Sequence, residues 1–573
     1  MAAIDSVNQG FRHRYLRFAE LTSQLRAWAD TYPDITRLHS LGTSAEGRDI
    51  WLLEISRNPG TQRPAAWVDG NMHGTEVAAS SVALAIAEAV LRIHVEPRAA
   101  AAELPAPLLE TLRDIQLYVL PRLSPDGAEA VLERGGFVRS VPRRHDTTGH
   151  APWWQPRDMS GDGRCRCMRI PDAAGDFVAA EGLPGLMLPR QIDDPPPWFR
   201  LYPEGEIIDF DGETVPDADP LANTADLNRN FPWDWRPEPQ QTGAGAFPGS
   251  EPETAAVMGF AADHPNIFAW LNLHTFGGVF IRPLGTQGDA HMHPGDRRLY
   301  RQLADWAATF TGYPTVSGYE QFTYEPEQPL RGDLVDFAYH QRGCLAVACE
   351  LWDLFRRLDM PTPARFVDHY TALDRNDLQR LADWDRDHNH GRIFTDWTPV
   401  EHPQLGAVEV GGADPVVGIW NPPPESLPAL CESVASYWLR VAALLPRLVI
   451  EEVVVSNVDE QLFEVSVTMA NHGYLSTAGI PSSAALPWNH GVLAELVPHG
   501  CRLAAPADAR RELGHLEGWG IGAGAMRHMP WFQRSGGSGH RRTLRWLVHG
   551  EGTLTLSVGN ARLGWLQRVI NAR

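Results

Sequence analysis

The sequence predicts an α/β fold, a mixed and mostly parallel sheet flanked by helices, followed by a C-terminal all-β sandwich. Two observations carry the first part. Strand and helix signals alternate over roughly the first two-thirds of the 573 residues, and several of the strands are continuous apolar runs, as strands buried on both faces should be. A third carries the second part: beyond Asn421-Pro422-Pro423-Pro424-Glu425 the pattern changes to short strands alternating with period two.

Taken in order, strands are expected at 51–55 and 65–69, then a long apolar helix at about 76–93 and a strand at 115–120. The runs at 268–273 and 344–351 are the most apolar strand candidates. The stretch from about 142 to 225 differs. It is rich in Pro, Gly, Asp and Arg, contains Asp193-Asp194-Pro195-Pro196-Pro197, and is expected to be an irregular excursion from the sheet without a core of its own. A helix is expected at about 426–444, then alternating strands at 448–455, 462–469 and 552–558. The division that follows is an α/β unit over 1–445 and an Ig-like or transthyretin-like sandwich over 446–573.

Hydrophobic residues make up 43% of the chain and charged residues 21%, so an ordinary globular core is expected. The formal charge of −21 argues against a nucleic-acid or anionic-membrane binder, since both need a basic face. Six cysteines are too few to staple a chain of this length and read as thiols of a reducing compartment. No apolar h-region follows Met1, and no run of 18 apolar residues suggests a membrane helix. The expectation is a cytoplasmic protein, with a secreted mature form as the alternative.

Parallel sheets place their chemistry just beyond the carboxyl ends of the strands. The 65–69 strand leads into Gly70-Asn71-Met72-His73-Gly74-Thr75-Glu76, the 268–273 strand runs into His274, and the 344–349 run meets Glu350. Two histidines and two carboxylates thus fall on one rim of one sheet. Catalytic zinc takes three such ligands and keeps one position open. His73-x-x-Glu76 is the only His-x-x-Glu in the chain, although with 22 histidines one chance occurrence is unremarkable. A packed or capping histidine is the alternative for His274 alone, and the shared rim favours the metal. In Asp226-Leu227-Asn228-Arg229-Asn230-Phe231, a guanidinium beside an amide suits a carboxylate, whereas a charged surface loop is the plainer reading.

These residues resemble the zinc carboxypeptidases related to pancreatic carboxypeptidase A. The resemblance runs in order through Gly42 to Asp49, His73 to Glu76, Ser124-Pro125-Asp126-Gly127, Asp226 to Phe231, Ser250-Glu251-Pro252-Glu253-Thr254, His274, Gly332 to Tyr339 and Glu350-Leu351. It covers about 10–385. It implies one zinc ion held by His73, Glu76 and His274, with Glu350 as the general base that takes a proton from the metal-activated water. It further implies that Arg139 stabilises the oxyanion, that Asn228 and Arg229 hold the terminal carboxylate of the substrate, and that Asp226 orients His73. Val335 is implied in the pocket for the terminal side chain, favouring apolar or aromatic residues; Asp333 there could admit a basic one, or simply cap a turn. The family's mobile tyrosine matches no position well, Tyr324 being the nearest and Tyr319 the next. The expected partner is a peptide with a free C-terminus.

The spacing from Glu76 to His274 is much longer than in the pancreatic enzymes, and the 142–225 excursion could narrow or roof the cleft. Asp158 to Gly163 has the alternating oxygens and glycine of a calcium loop, so Ca²⁺ at Asp158 and Asp162 is weighed against a structural turn; the twelfth position is Arg169 rather than Glu. Trp153, Trp154, Trp233 and Trp235 could line a cleft or pack internally. Two other functions compete. One is a zinc amidohydrolase of the same fold, acting on N-acyl amino acids or cell-wall peptides. The other is a non-catalytic peptide-binding protein, which would ordinarily lack a ligand or the base.

Overall fold

The computed structural model describes residues 3–143, 152–218, 224–521 and 537–573. Its centre is an eight-stranded sheet built from β1 (Thr36–Thr43), β2 (Asp49–Ile55), β3 (Ala65–Gly70), β4 (Gln116–Leu120), β5 (Ile267–Thr275), β6 (Val279–Arg282), β7 (Thr315–Ser317) and β8 (Leu345–Leu351), in the spatial order β1-β2-β4-β3-β5-β8-β6-β7. The four inner strands β4, β3, β5 and β8 are mutually parallel. Antiparallel pairs flank them on both sides, β1–β2 and β2–β4 on one and β8–β6 on the other. Every residue of β3, β4 and β5 is buried, as the unbroken apolar runs predict.

The Ala78–Val95 helix packs on this sheet and against the Leu427–Ala442 helix, and is almost wholly buried. It has the length and apolar character of a membrane span, which the sequence reading did not expect of any segment. Seventy-eight per cent of it is inside the protein, and its Glu88 ion-pairs with Arg12 and Arg92.

Residues of the 142–225 stretch were expected to be irregular; those described instead carry short strands. Cys167–Pro171, Phe177–Ala179, Met187–Pro189 and Phe199–Pro203 join the hairpin of Phe394–His402 and Gly406–Ala413 in a six-stranded sheet. It has small apolar clusters of its own, one of Met168, Val408 and Val410 and another of Val178, Leu186, Leu188 and Ala382. Strands of three to five residues with few apolar positions carry no readable period, and arginine pairs such as Arg169–Glu409 and Arg375–Asp194 supply what the thin core lacks. None of the described residues of this segment lines the cleft below. Of the two readings weighed for Asp158 to Gly163, the contacts support the structural turn and not calcium: Asp158 accepts from the backbone N–H groups of Gly161 and Gly163, and Asp162 from that of Arg164 with Arg166 alongside.

After the Leu427–Ala442 helix come two four-stranded antiparallel sheets. Val465, Val467, Met469, Trp546 and Val548 of one sheet, with Ala494, Leu496, Leu554, Leu556 and Val558 of the other, belong to the same continuous core as the central sheet. Arg562 joins the two regions. It donates to the carbonyls of Pro265, Ala478, Ile267 and Gly343, and its guanidinium lies 4.0 Å from the Phe268 ring centroid.

Candidate metal centre and cleft

The loop that leaves β3 is shaped by its own side chains. Asn71 adopts a positive φ of 56°, a conformation asparagine tolerates, and its Nδ2 donates to the carbonyls of His73 and Gly74. Gly74 has to be glycine for another reason: a Cβ there would lie 2.8 Å from the backbone of Gly127. The two short motifs His73-Gly74-Thr75-Glu76 and Ser124-Pro125-Asp126-Gly127 therefore close on each other. Segment 138–139 is laced alongside, Gly74 N–H donating to the Arg139 carbonyl and Val138 N–H to Thr75 Oγ1. Arg48 and Ser44 hold Asp126, which ties in the 42–49 segment. Asn230 fastens Asp226–Phe231 to the 250–254 motif through Ser250, Glu251 and Thr254.

This scaffold brings His73, Glu76 and His274 together, all buried, with candidate ligand atoms within 4.8 Å of one another. His73 Nδ1 lies 2.8 Å from Glu76 Oε1, His274 Nδ1 lies 3.1 Å from Glu76 Oε2, and the two Nδ1 atoms are 3.2 Å apart. The far side of each ring faces an acceptor: His73 Nε2 meets Asp226 Oδ1 at 3.2 Å, and His274 Nε2 meets Asn272 Oδ1 at 2.5 Å. These acceptors favour a proton on each Nε2 when the Nδ1 atoms are to bind a metal. Two Nδ1 lone pairs and a carboxylate are left facing one point, a set that repels itself unless a cation lies between them. Three nitrogen and oxygen donors of this kind match a catalytic zinc site with an open position.

The direction of the His274 side is set deeper in the core, by residues the sequence reading missed. Asp69 is fully buried and can only accept while ionised. It takes the indole N–H groups of Trp67 and Trp270 on Oδ2, at 2.8 and 2.7 Å, and Asn272 Nδ2 on Oδ1 at 2.6 Å. Asn272 must therefore turn its NH₂ to Asp69 and its oxygen to His274. Only the position of Asn272 two residues before His274 on one strand could have signalled this.

Electrostatics follow the same geometry. Burial alone would raise the Glu76 carboxyl, but His73 and His274 in their protonated, charged form bring it down. Burial likewise opposes Asp226, yet the Arg139 and Arg229 charges and His73 hold it well below the ordinary range. Glu350 goes the other way: burial, then the charge of Glu76, raise it well above its ordinary value against His73 and Arg139. Its Oε2 is buried with no hydrogen-bond partner among the described residues.

His73, Glu76, His274 and Glu350 line one open cleft. Arg139 donates through Nε to Asp226 Oδ2 at 3.0 Å, and its Nη1 stands 3.9 Å from Glu76 Oε1. Asn228 accepts from Leu334 N–H at 3.0 Å and Arg229 donates to the Asn228 carbonyl. Asp333 caps the Leu334–Asp336 turn through Oδ1, while its Oδ2 and that of Asp336 both approach Gly285. Val335 lines the same end, with Ile281 and Leu330. Tyr324 lines the cleft and is 48% exposed; Tyr319 does not line it. Tyr370 and Trp420 also line it and were not anticipated, because nothing in their local sequence marks them. The four tryptophans weighed as cleft residues do not line it: Trp154 packs on Tyr202 and Trp233 stacks on His340.

A family profile described as "Zinc carboxypeptidase" matches residues 21–371, and one described only as a domain of unknown function matches 447–571. Carboxypeptidase D of Anas platyrhynchos is 32% identical over 149 residues, which is 25% of this chain and 10% of that protein. The carboxypeptidase N catalytic chain of Rattus norvegicus is 34% identical over 129 residues, 22% of this chain and 26% of that one. The alignments thus span a tenth to a quarter of these relatives' own length. Among solved structures, thrombin activatable fibrinolysis inhibitor superposes with a TM-score of 0.46 at 13% identity, covering 77% of this chain and 76% of that one. With the first profile spanning well over half of its length, the chain belongs to the zinc carboxypeptidase family.

Proposed function

We propose that the protein is a zinc-dependent carboxypeptidase that hydrolyses the C-terminal peptide bond of peptides bearing a free C-terminus. The observation that carries this reading is the convergence of His73 Nδ1, His274 Nδ1 and the Glu76 carboxylate, with Glu350, whose Oε2 has no hydrogen-bond partner among the described residues, lining the same cleft.

His73, Glu76 and His274 would hold the ion; when bound, zinc acts as a Lewis acid toward the scissile carbonyl and makes water a better nucleophile near neutral pH. The chain's own residues do the rest. Arg229 and the Asn228 NH₂ group, which has no partner among the described residues, bind the terminal carboxylate and so select the last peptide bond. Val335 and its apolar neighbours take the last side chain, and the Asp333 carboxylate at the same end accommodates a basic one. Arg139, anchored through Nε on Asp226, directs Nη1 toward the developing oxyanion. Glu350 takes a proton from the attacking water and hands it to the leaving amine; its raised pKa makes it a stronger base than an exposed glutamate. Tyr324, which lines the cleft and is partly exposed, is the candidate for closing over the bound terminus.

The test is metal content together with release of single amino acids from a mixed peptide set, before and after chelation. One zinc per chain, release from free C-termini and loss of release on chelation are expected. Bound zinc without release from any free C-terminus would move the assignment to an amidohydrolase of N-acyl amino acids or cell-wall peptides.

A further inference from the structure

The helix that follows Glu76 starts without a cap of its own. Val77, at its N-cap position, has no polar side chain, and Thr75 Oγ1 is engaged with both backbone groups of Val138. The first N–H groups of a helix have no partner within it, so a buried start has to find one elsewhere. Here the partner comes from far along the chain. Asn421 Oδ1 accepts the Ala78 N–H at 2.8 Å, while Asn421 Nδ2 donates to the Thr75 carbonyl at 2.7 Å. Glu76 lies between the two gripped residues, and Asn421 is fully buried.

Asn421 is itself held by the turn it ends. Its Nδ2 also donates to the Val416 carbonyl at 2.8 Å, its N–H to the same carbonyl at 3.1 Å, and its carbonyl accepts the Gly418 N–H at 2.7 Å. Asp414 opens this turn, accepting the Val416 N–H at 3.0 Å and pairing with Arg164 at 2.8 Å. On the other side Trp352, two residues beyond Glu350, donates its indole N–H to the Gly418 carbonyl at 3.0 Å. The 414–421 turn is thus a self-bonded piece fastened both to the helix start at Glu76 and to the chain leaving β8. Neither family profile covers it. A carboxylate ligand is only as well placed as the backbone that carries it. With Thr75 and Ala78 both fixed, the Glu76 backbone has little freedom, and its carboxylate stays aimed at His73 and His274.

We propose that Asn421 is a positioning residue for the metal centre: it pre-forms the turn that carries Glu76, so that metal binding does not carry the entropy cost of ordering that turn. This rests on the zinc reading of the site.

The experiment measures zinc affinity of the full-length protein by competition against a chelator of known affinity. The absorption spectrum of the Co²⁺-loaded protein is a second readout. Asn421→Ala should bind zinc about 10- to 100-fold more weakly and shift the Co²⁺ bands. Asn471→Ala is the matched control. Asn471 is likewise buried, in the sandwich, where it donates to the Leu475 carbonyl and accepts the N–H groups of Arg447 and Gly473. That variant should lower stability in urea to a similar degree while leaving zinc affinity and spectrum unchanged. Equal affinity in wild type and Asn421→Ala, or an equal loss in both variants, overturns the proposal. Hydrogen exchange of the wild type keeps the question decidable even when Asn421→Ala does not fold. The Ala78 amide, which donates to Asn421, should be as protected without metal as with zinc; protection that arises only with zinc overturns the proposal. A wild type that takes up no zinc sinks the metal reading, and this inference with it. Zinc uptake without release of any C-terminal residue sinks the peptidase reading alone, and the affinity comparison still decides the role of Asn421.

Discussion

His274 and Glu350 are paired residues on neighbouring parallel strands: β5 and β8 run in register from Ala269 with Leu345 to Thr275 with Leu351, and these two stand opposite each other near their carboxyl ends. A candidate metal donor and a carboxylate whose Oε2 has no hydrogen-bond partner among the described residues are thereby set side by side by the sheet pairing. β3 lies on the other flank of β5 with Gly70 opposite Leu273, which delivers the His73 loop to the same rim. A slip of one residue in either pairing would turn His274 or Glu350 to the opposite face.

Glu350→Gln should therefore lower kcat by about 100- to 10,000-fold while zinc remains bound at one per chain. Steady-state kinetics with metal analysis of the same preparation checks this. Near-normal turnover in the variant would sink the assignment of the base.

The acid side of the pH profile should lie above the usual glutamate range. Glu350 works as its deprotonated form, and burial with the charge of Glu76 raises its pKa above the ordinary 4.5. Activity is then full above the raised pKa and falls as pH drops through it. A kcat/KM profile still level down to pH about 4.5 would contradict the environment described for this residue.

Asn272→Leu should weaken zinc binding by about 10- to 100-fold, the usual effect of losing a partner that orients a ligand. It removes the acceptor that keeps the His274 proton on Nε2. Competition against a chelator of known affinity reads this directly. Asp226→Asn should have a similar effect through His73.

Among matched peptides ending in Phe, Arg and Glu, those ending in Glu should be the poorest substrates, since Asp333 and Asp336 both line the cleft and approach Gly285. Asp333→Asn should reduce the Arg-to-Phe ratio of kcat/KM by about tenfold, the loss of roughly one charge-assisted hydrogen bond. An unchanged ratio would leave Asp333 as the cap of its turn alone.

Arg562→Ala should destabilise the whole chain by about 3 kcal/mol or more, since four backbone carbonyls lose a shared donor. Urea unfolding of the purified protein measures it. A loss confined to the sandwich, with the cleft region unfolding as before, would show that the clasp does not couple the two regions.

The four inner strands, the long helix that begins just after Glu76 and the clustering of His73, Glu76 and His274 were legible in the sequence, whereas the strand order and the outer strands β1, β6 and β7 were not. Long apolar runs have few alternatives to a buried strand, and residues at strand ends fall on one rim once the strands are parallel. The short strands of the 142–225 stretch were not legible, because three to five residues anchored by arginine pairs leave no periodic trace. Asp69 and Asn272 were hidden for a different reason: their role is a direction of hydrogen bonding fixed by two tryptophans that are far apart in the chain. Trp420 comes from a turn 146 residues beyond His274, and Tyr370 reaches the cleft through one bond to the Phe276 carbonyl. The sequence by itself determined which strands lie at the centre and which ligand chemistry sits at their ends, because burial and strand polarity are local properties of the chain. Only the tertiary structure decided how those ligands are oriented, what walls the cleft and how the sandwich is fastened, because these depend on contacts between segments that no local pattern encodes.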